Sequence, residues 1–384
     1  MEHKDFQEIA HCGGRVIIRT SGGQHRSYQL EWNHCRPNAA GIFALYALAQ
    51  GVPVAPLPLG GMGSPMPPPP IPGCFQVFIG SDSEGMYGHH CPRCGGYWRD
   101  KGAPQFCPYC RLADEWHHFL SKAQRNYVFQ FCAKLREALE AEGEAEYVID
   151  FDAVADAVLT TEKPPFYYAE QNQQNNFVCD ACNSANDILG RFGYCSRCGT
   201  RNTFFELKNK IATDLRKRIN AGGQFETCAK ESVSAFDALV RDYVKQLLEM
   251  VPLTVSRRNR LEGRTFQGLQ SVADELRDIF DIRVFNNISE EDMRFAKLMF
   301  HRRHVYEHAG GEVDQKYIEE SGDTSVRVKE MLRETQGSSH RIVGIVTRMA
   351  NNIHDGFHEL IPPDRAPIER YEKWKPKRSA AQGS

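Results

Sequence analysis

At 384 residues the chain exceeds a typical single domain, and two or three domains are expected. Its 41% hydrophobic and 25% charged content is that of an ordinary soluble protein, and a formal net charge of −2 excludes a globally basic nucleic-acid coat. No apolar run reaches the roughly 18–20 residues of a membrane span, so no membrane association is expected.

The first stretch, MEHKDFQEIAHCGG, carries acids and no apolar core, and does not read as a secretion signal. Thirteen cysteines is an odd count, and eight of them fall in CxxC pairs. Together these point to a reducing, cytoplasmic setting and to metal ligation rather than disulfides.

Residues 1–86 read as a mixed α/β region of unassigned role. Short-strand character appears at 15–19, 27–32 and 76–80. Between them, 38–50 reads as one apolar helix and 53–72 as a Pro-rich loop without regular structure. Cys12, Cys35 and Cys74 lack paired spacing and read as buried free cysteines. An extra metal site with His11 and His34 is the alternative.

Residues 87–112 carry the first zinc ribbon. Cys91 and Cys94 are followed, after twelve residues, by Cys107 and Cys110. Each CxxC makes a tight turn that aims two thiolates at one ion, and a hairpin brings the second knuckle round to complete a tetrahedron. A helical connector, 113–163, follows. Its apolar stripe contains Trp116, Phe119, Leu120, Val128, Phe131, Leu135 and Leu139.

Residues 164–204 are a polar linker and a second ribbon. Cys179 and Cys182 precede Cys195 and Cys198 by the same twelve residues, and strands are expected at 177–178 and 191–194. The cofactor expectation is therefore two structural zinc ions, since four thiolates leave no open catalytic position. The ribbons can be scaffold, can bind a protein trigger, or can bind nucleic acid. For the last, Arg93, Arg99, Lys101, Arg111, Arg191, Arg197 and Arg201 lie on or beside the knuckles, with Tyr97, Trp98, Tyr109 and Phe192 interleaved for stacking.

A connecting helix, 205–224, leads to long helical patterns over 225–362. Helices are predicted at 226–250, 265–280, from Ser289 to the Gly310-Gly311 stop, and at 338–360. Ser289 precedes Glu290-Glu291-Asp292, an acidic cap. Residues 363–384 form a basic tail. The fold class expected is multidomain α+β: a mixed N-terminal region, two zinc ribbons and a C-terminal all-α bundle.

The third of these helices ends in Phe300-His301-Arg302-Arg303-His304-Val305-Tyr306-Glu307-His308. At about 100° per residue, His304 and His308 share a face and His301 falls near the same line, while Arg303 lies about 140° from His308. Three readings stay open. Cations suit the C-terminal pole of a helix. Three histidines can hold a metal, although Arg302 and Arg303 would repel one. Alternatively, histidine as acid or base beside an arginine can cleave a phosphodiester.

Arg303, four residues, then His308, with His304 directly after the arginine, resembles the HEPN ribonucleases, whose pattern is Arg, four to six residues, His. The following Ala309-Gly310-Gly311-Glu312 also resembles members of that superfamily. The resemblance covers 225–360 and implies an all-α HEPN-like domain with Arg303, His308 and His304 as catalytic residues. Arg302 and Glu307 would be in support. It implies a metal-independent endoribonuclease using 2′-OH attack on an RNA substrate, working as a homodimer or higher homo-oligomer. A zinc-ribbon front end on such a domain resembles anti-phage abortive-infection effectors, in which the N-terminal half senses a protein trigger such as a phage product. The alternative is a non-catalytic zinc-ribbon adaptor whose helical domain dimerises.

Overall fold

A computed structural model describes residues 6–7, 14–21, 25–32, 42–57, 67–80, 86–120, 122–141, 144–150, 153–154, 169–170, 174–191, 193–262 and 268–375. The chain divides into two compact units, one made of residues 1–200 with 364–384 and one of residues 201–363. Among the described residues no helix is long and apolar enough to cross a membrane.

The first unit is rich in strands: β1 (Phe6–Gln7), β2 (Gly14–Ser21), β3 (His25–Trp32), β4 (Ile42–Ala47), β5 (Pro53–Leu57) and β6 (Phe75–Gly80). These are followed by β7 (Tyr87–His90), β8 (Tyr97–Asp100), helix α1 (Lys122–Glu140), β9 (Ala145–Asp150), β10 (Ala169–Glu170), β11 (Gln174–Val178) and β12 (Ala185–Leu189). Two three-stranded antiparallel sheets, ordered β3-β2-β9 and β5-β4-β6, contribute with α1 to one core. Val128, Phe131 and Leu135 of α1 are buried there with Val16, Ile18, Leu45 and Val77, as the helical stripe predicted. Each such side chain contributes about 1.5–3 kcal/mol when fully buried. The Tyr127 hydroxyl donates to the Phe78 carbonyl at 2.9 Å, which ties α1 to β6.

Two expectations in this region change. Residues 38–50 are not one helix: 42–47 form β4, the central strand of its sheet, hydrogen-bonded to β5 on one side and β6 on the other. A strand buried against neighbours reads as a continuous apolar run, which periodicity cannot separate from a buried helix. The Pro-rich stretch also begins in regular structure, because β5 is an edge strand whose prolines need not donate to a ladder. Cys74 is half-buried, whereas Cys12, Cys35, His11 and His34 lie outside the described residues, as do 58–66.

The two ribbons share one sheet, in the order β11-β12-β8-β7. β12 of the second ribbon pairs antiparallel with β8 of the first, Asp187 opposite Arg99 and Ile188 opposite Trp98. The second ribbon's hairpin is β11 with β12, at 174–178 and 185–189, rather than 177–178 with 191–194. The tail expected after 363 contains a helix, whose placement is given below.

The second unit is helical throughout its described residues. Residues 203–220 form one helix, α2, with a π-helical turn at Leu207–Ile211. It is followed by α3 (Phe225–Met250), α4 (Val255–Glu262), α5 (Leu269–Phe280), α6 (Glu290–His308), α7 (Gln315–Ser321) and α8 (Gln336–Leu360). Val233, Phe236, Val240, Val244 and Leu247 of α3 are buried, as are Ile342, Ile345, Met349, Ile353 and Phe357 of α8. These are the stripes predicted at a 3.6-residue period. The expected start at 265 falls partly outside the described residues, and the described helix there is α5. In α6 only Ala296, Met299 and Val305 are buried, so the rest of that helix is available for polar chemistry.

Candidate functional site

The eight ribbon cysteines form two quartets, Cys91/Cys94/Cys107/Cys110 and Cys179/Cys182/Cys195/Cys198, with the sulfurs of each quartet within 4.8 Å of one another. Sγ–Sγ distances are 3.6 and 3.7 Å in the first and 3.7 and 3.5 Å in the second. A tetrahedron with zinc–sulfur bonds of about 2.3 Å has edges of about 3.8 Å, so the quartets fit zinc and are far too open for disulfides.

The four knuckles repeat one backbone device. In each, the residue after the second cysteine donates to the carbonyl of the first: Gly95 to Cys91 at 3.0 Å, Arg111 to Cys107 at 2.9 Å, Asn183 to Cys179 at 2.8 Å and Gly199 to Cys195 at 2.9 Å. That residue has positive φ every time, +70°, +56°, +59° and +70°. Glycine takes this conformation without steric cost at 95 and 199. Amide groups also point at sulfur, with Tyr109 donating to Cys107 and Arg197 to Cys195, both at 3.4 Å. Burial pushes the Cys107 thiol up, and Cys110 to about 11. A cation reverses that order, because a coordinating thiol is deprotonated.

Much of the basic and aromatic content of the ribbons holds the platform together. Arg99 is buried against Asp187 at 2.7 Å, across the strand pair that joins the ribbons. Trp98 is 1% exposed, and the Tyr109 hydroxyl donates to the Tyr97 carbonyl. Arg111 donates to the Gly199 carbonyl at 3.2 Å and lies over the Phe106 ring. Arg201 begins the helical unit, where it pairs with Asp242. Phe192 lies outside the described residues.

In the helical unit, the His/Arg run falls where the sequence places it. The Ser289 hydroxyl accepts from the Asp292 amide at 3.1 Å and starts α6. Gly310 and Gly311, at φ +60° and +95°, end it after His308. His301, Arg303, His304, Glu307 and His308 all line one cleft of about 600 Å³ beside α3, α5 and α7. The His304 and His308 rings stand 4.6 Å apart, centroid to centroid. Among the described residues, only the two cysteine quartets bring three or more ligating side chains to metal-binding distance, and the histidines form no such group.

The two adjacent arginines part company. Arg302 turns away from the cleft lining, into a network in which it donates to Glu334 at 3.0 Å and to Asp323 at 2.9 Å. Both carboxylates are almost fully buried, and Tyr306 and Tyr317 donate to them as well. Arg303 remains in the cleft, where it pairs with Asp237 of α3 and, at 3.2 Å, with Glu307 one turn on. Burial raises the Asp237 carboxyl above the ordinary aspartate value, and Arg303 and Arg241 oppose that shift without cancelling it.

Sequence reasoning did not single out Asp237, Arg241, Lys297 or Lys316, all of which line the cleft. Asp237 had a signal: it is an acid among the apolar positions of α3, directly after Phe236. Four bases in the lining, Arg241, Lys297, Arg303 and Lys316, are matched by four acids, Asp237, Glu307, Asp314 and Glu320. The formal charge of the lining, with its histidines counted neutral, is therefore zero. No family model matches this sequence, and no curated protein or solved structure shows significant similarity to it.

Proposed function

We propose that the chain is a metal-independent endoribonuclease of HEPN type, with Arg303 and His308 as its catalytic pair and His304 in support. The observation that carries this reading is the shared cleft, which gathers Arg303 with the adjacent imidazoles of His304 and His308 in a helical unit. In this reading a histidine takes the proton from a ribose 2′-OH, and that oxygen bonds to the adjacent phosphorus. The P–O5′ bond breaks, the second histidine returns a proton to O5′, and the products are a 2′,3′-cyclic phosphate and a 5′-OH. Arg303 stabilises the charge that develops on the phosphorane. Glu307 and Asp237 hold the guanidinium in place. Arg302 positions α6 through its carboxylate network rather than touching substrate.

The zinc-ribbon unit then senses or regulates, the helical unit cleaves as a homodimer or higher homo-oligomer, and a protein trigger such as a phage product releases the activity in anti-phage defence. A second reading, a non-catalytic zinc-ribbon adaptor, draws on the ion pairs that occupy Arg303 and on the balanced charge of the cleft. The test is expression of the parent and of His308→Ala at matched levels, followed by cellular RNA integrity and mapping of cleavage ends. The nuclease reading expects fragments with 2′,3′-cyclic phosphate ends from the parent alone, and from purified parent with no divalent cation added to the assay. Equal RNA integrity under toxic expression of both proteins would favour the adaptor.

A further inference from the structure

Helix α9 (Arg365–Trp374) belongs to the first unit and sits on the second ribbon. The Asp364 amide donates to the Cys198 carbonyl at 2.9 Å, and Asp364 caps the helix through its carboxylate. Ile368 packs on the Cys179/Cys182/Cys195/Cys198 cluster. This anchoring presents Pro367, Arg370, Tyr371 and Trp374 toward Asn183, Ser184 and Arg197 of the ribbon. Between them is an open hollow of about 410 Å³.

The chemistry of that face is uneven in a way that points to a ligand. Positions 367, 370, 371 and 374 share one side of a helix, whereas Glu369 and Glu372 fall about 140–200° round from Pro367. The hollow therefore has aromatics, two guanidiniums and small polar groups on its walls, with the acids of α9 turned away. Trp374 is 81% exposed, the highest value among the exposed large apolar side chains described, and Arg370 is exposed beside it. A flat apolar platform next to a cation suits a flat ligand that carries negative charge. An acidic peptide would satisfy Arg370 and leave the indole face without a partner. A membrane surface would meet an indole on a protruding face, whereas this one borders a concave wall.

We propose that the hollow between α9 and the second ribbon binds one nucleotide unit of single-stranded nucleic acid. Trp374 stacks on the base, Arg370 meets the adjacent phosphate, and Asn183 and Ser184 border the base edge. Of the ribbon residues that the sequence offered for nucleic-acid contact, Trp98, Arg99 and Arg111 hold the platform together, whereas Arg197 lines this hollow. The surface named here stands whether or not the His/Arg cleft cleaves RNA.

The test uses the full, zinc-loaded chain carrying His308→Asn, so that no substrate is lost to cleavage at that residue. Labelled 12-nucleotide oligouridine and oligodeoxythymidine are titrated by anisotropy, with indole fluorescence read in parallel. Binding is expected to weaken at least tenfold in Trp374→Ala, to be partly retained in Trp374→Phe, and to lose its fluorescence quenching in both. Arg370→Gln should reduce the salt slope by about one ion. Equal binding of the two oligomers supports a base-and-phosphate site, and a preference for RNA supports one that also reads the 2′-OH. Unchanged affinity and quenching in Trp374→Ala, with zinc content intact, overturns the proposal. So does capture of an acidic peptide or of anionic vesicles through Trp374 with no oligonucleotide binding.

Discussion

Arg302 donates to two buried carboxylates, and Arg303, the next residue, pairs at the wall of an open cleft. Removing Arg302 leaves Asp323 and Glu334 buried without their cation, a change that typically costs about 3–5 kcal/mol. Arg302→Ala should therefore lower the denaturation midpoint strongly, and Arg303→Ala should lower it far less, both read by chemical denaturation. The network also has a pH signature. Burial alone would raise the Asp323 carboxyl, but donation from Ser325, Tyr317 and Arg302 outweighs it and holds the group below the usual carboxylate range. A folded value below the unfolded one, about 3.9, gives stability that is full above about pH 4 and lost as pH falls through the folded value. The stability gap between the parent and Asp323→Asn should accordingly narrow below about pH 4. In the cleft, a 2′-deoxy dinucleotide, which cannot undergo 2′-OH attack, should perturb the His304 and His308 ring resonances in an NMR titration, and the double variant His304→Asn with His308→Asn should weaken its binding. The histidines and arginines of the run were legible because they are local in sequence. Asp237 lies 66 positions from Arg303, and only the packing of α3 against α6 makes them partners.

At the scale of elements, the ribbons are joined backbone to backbone. The Tyr194 amide donates to the Pro108 carbonyl at 2.8 Å, and the Gln105 and Phe106 amides donate to the Ser196 carbonyl at 2.8 and 2.9 Å. Gly193 makes this approach possible, since a Cβ there would stand 2.3 Å from the Pro108 carbonyl oxygen. That obstacle is main chain, so it cannot swing aside as a side-chain tip can. Gly193→Ala should separate the two hairpins and cost about 1–3 kcal/mol, the usual scale for overpacking. Thermal unfolding of the zinc-loaded protein checks it, with Gly268→Ala as a comparison at a position of φ −129° where a Cβ meets nothing within 4 Å. The CxxC spacing made each ribbon legible separately, because ligand spacing is a short-range property. Their fusion into one sheet was not legible, because β8 and β12 are about 90 residues apart and neither carries a pattern that names its partner. The 42–47 strand was misread for a related reason, since an apolar run buried among neighbours has no period to betray it.

At the scale of the whole molecule, most of the chain's cores are apolar, and the ribbons differ. In the helical unit, α3 and α8 bury long apolar stripes such as Phe236, Val240 and Leu247 with Ile345, Met349 and Phe357, which need no ion. The core around the second quartet consists of the four cysteines themselves, with Ala181 and Ile368 packed against them. Without metal, that cluster brings together buried thiols whose mutual attraction is slight, so the binding free energy of zinc becomes folding free energy there. The purified chain should therefore contain two zinc ions per polypeptide by elemental analysis. Chelation on warming should collapse near-UV signals from the ribbon aromatics, with Trp98 buried beside Cys91 and Cys107 as the main reporter. The 222 nm signal, dominated by helices over 203–360, should survive to a second, higher transition. Zinc content near zero, or a single transition that chelator does not shift, would contradict that division. One ion per chain would locate the failure to a single quartet, and Cys91→Ser and Cys195→Ser would identify which. Cys195 is the more severe loss expected, because all four sulfurs of its quartet are buried and α9 rests on them, whereas Cys94 of the first quartet is exposed.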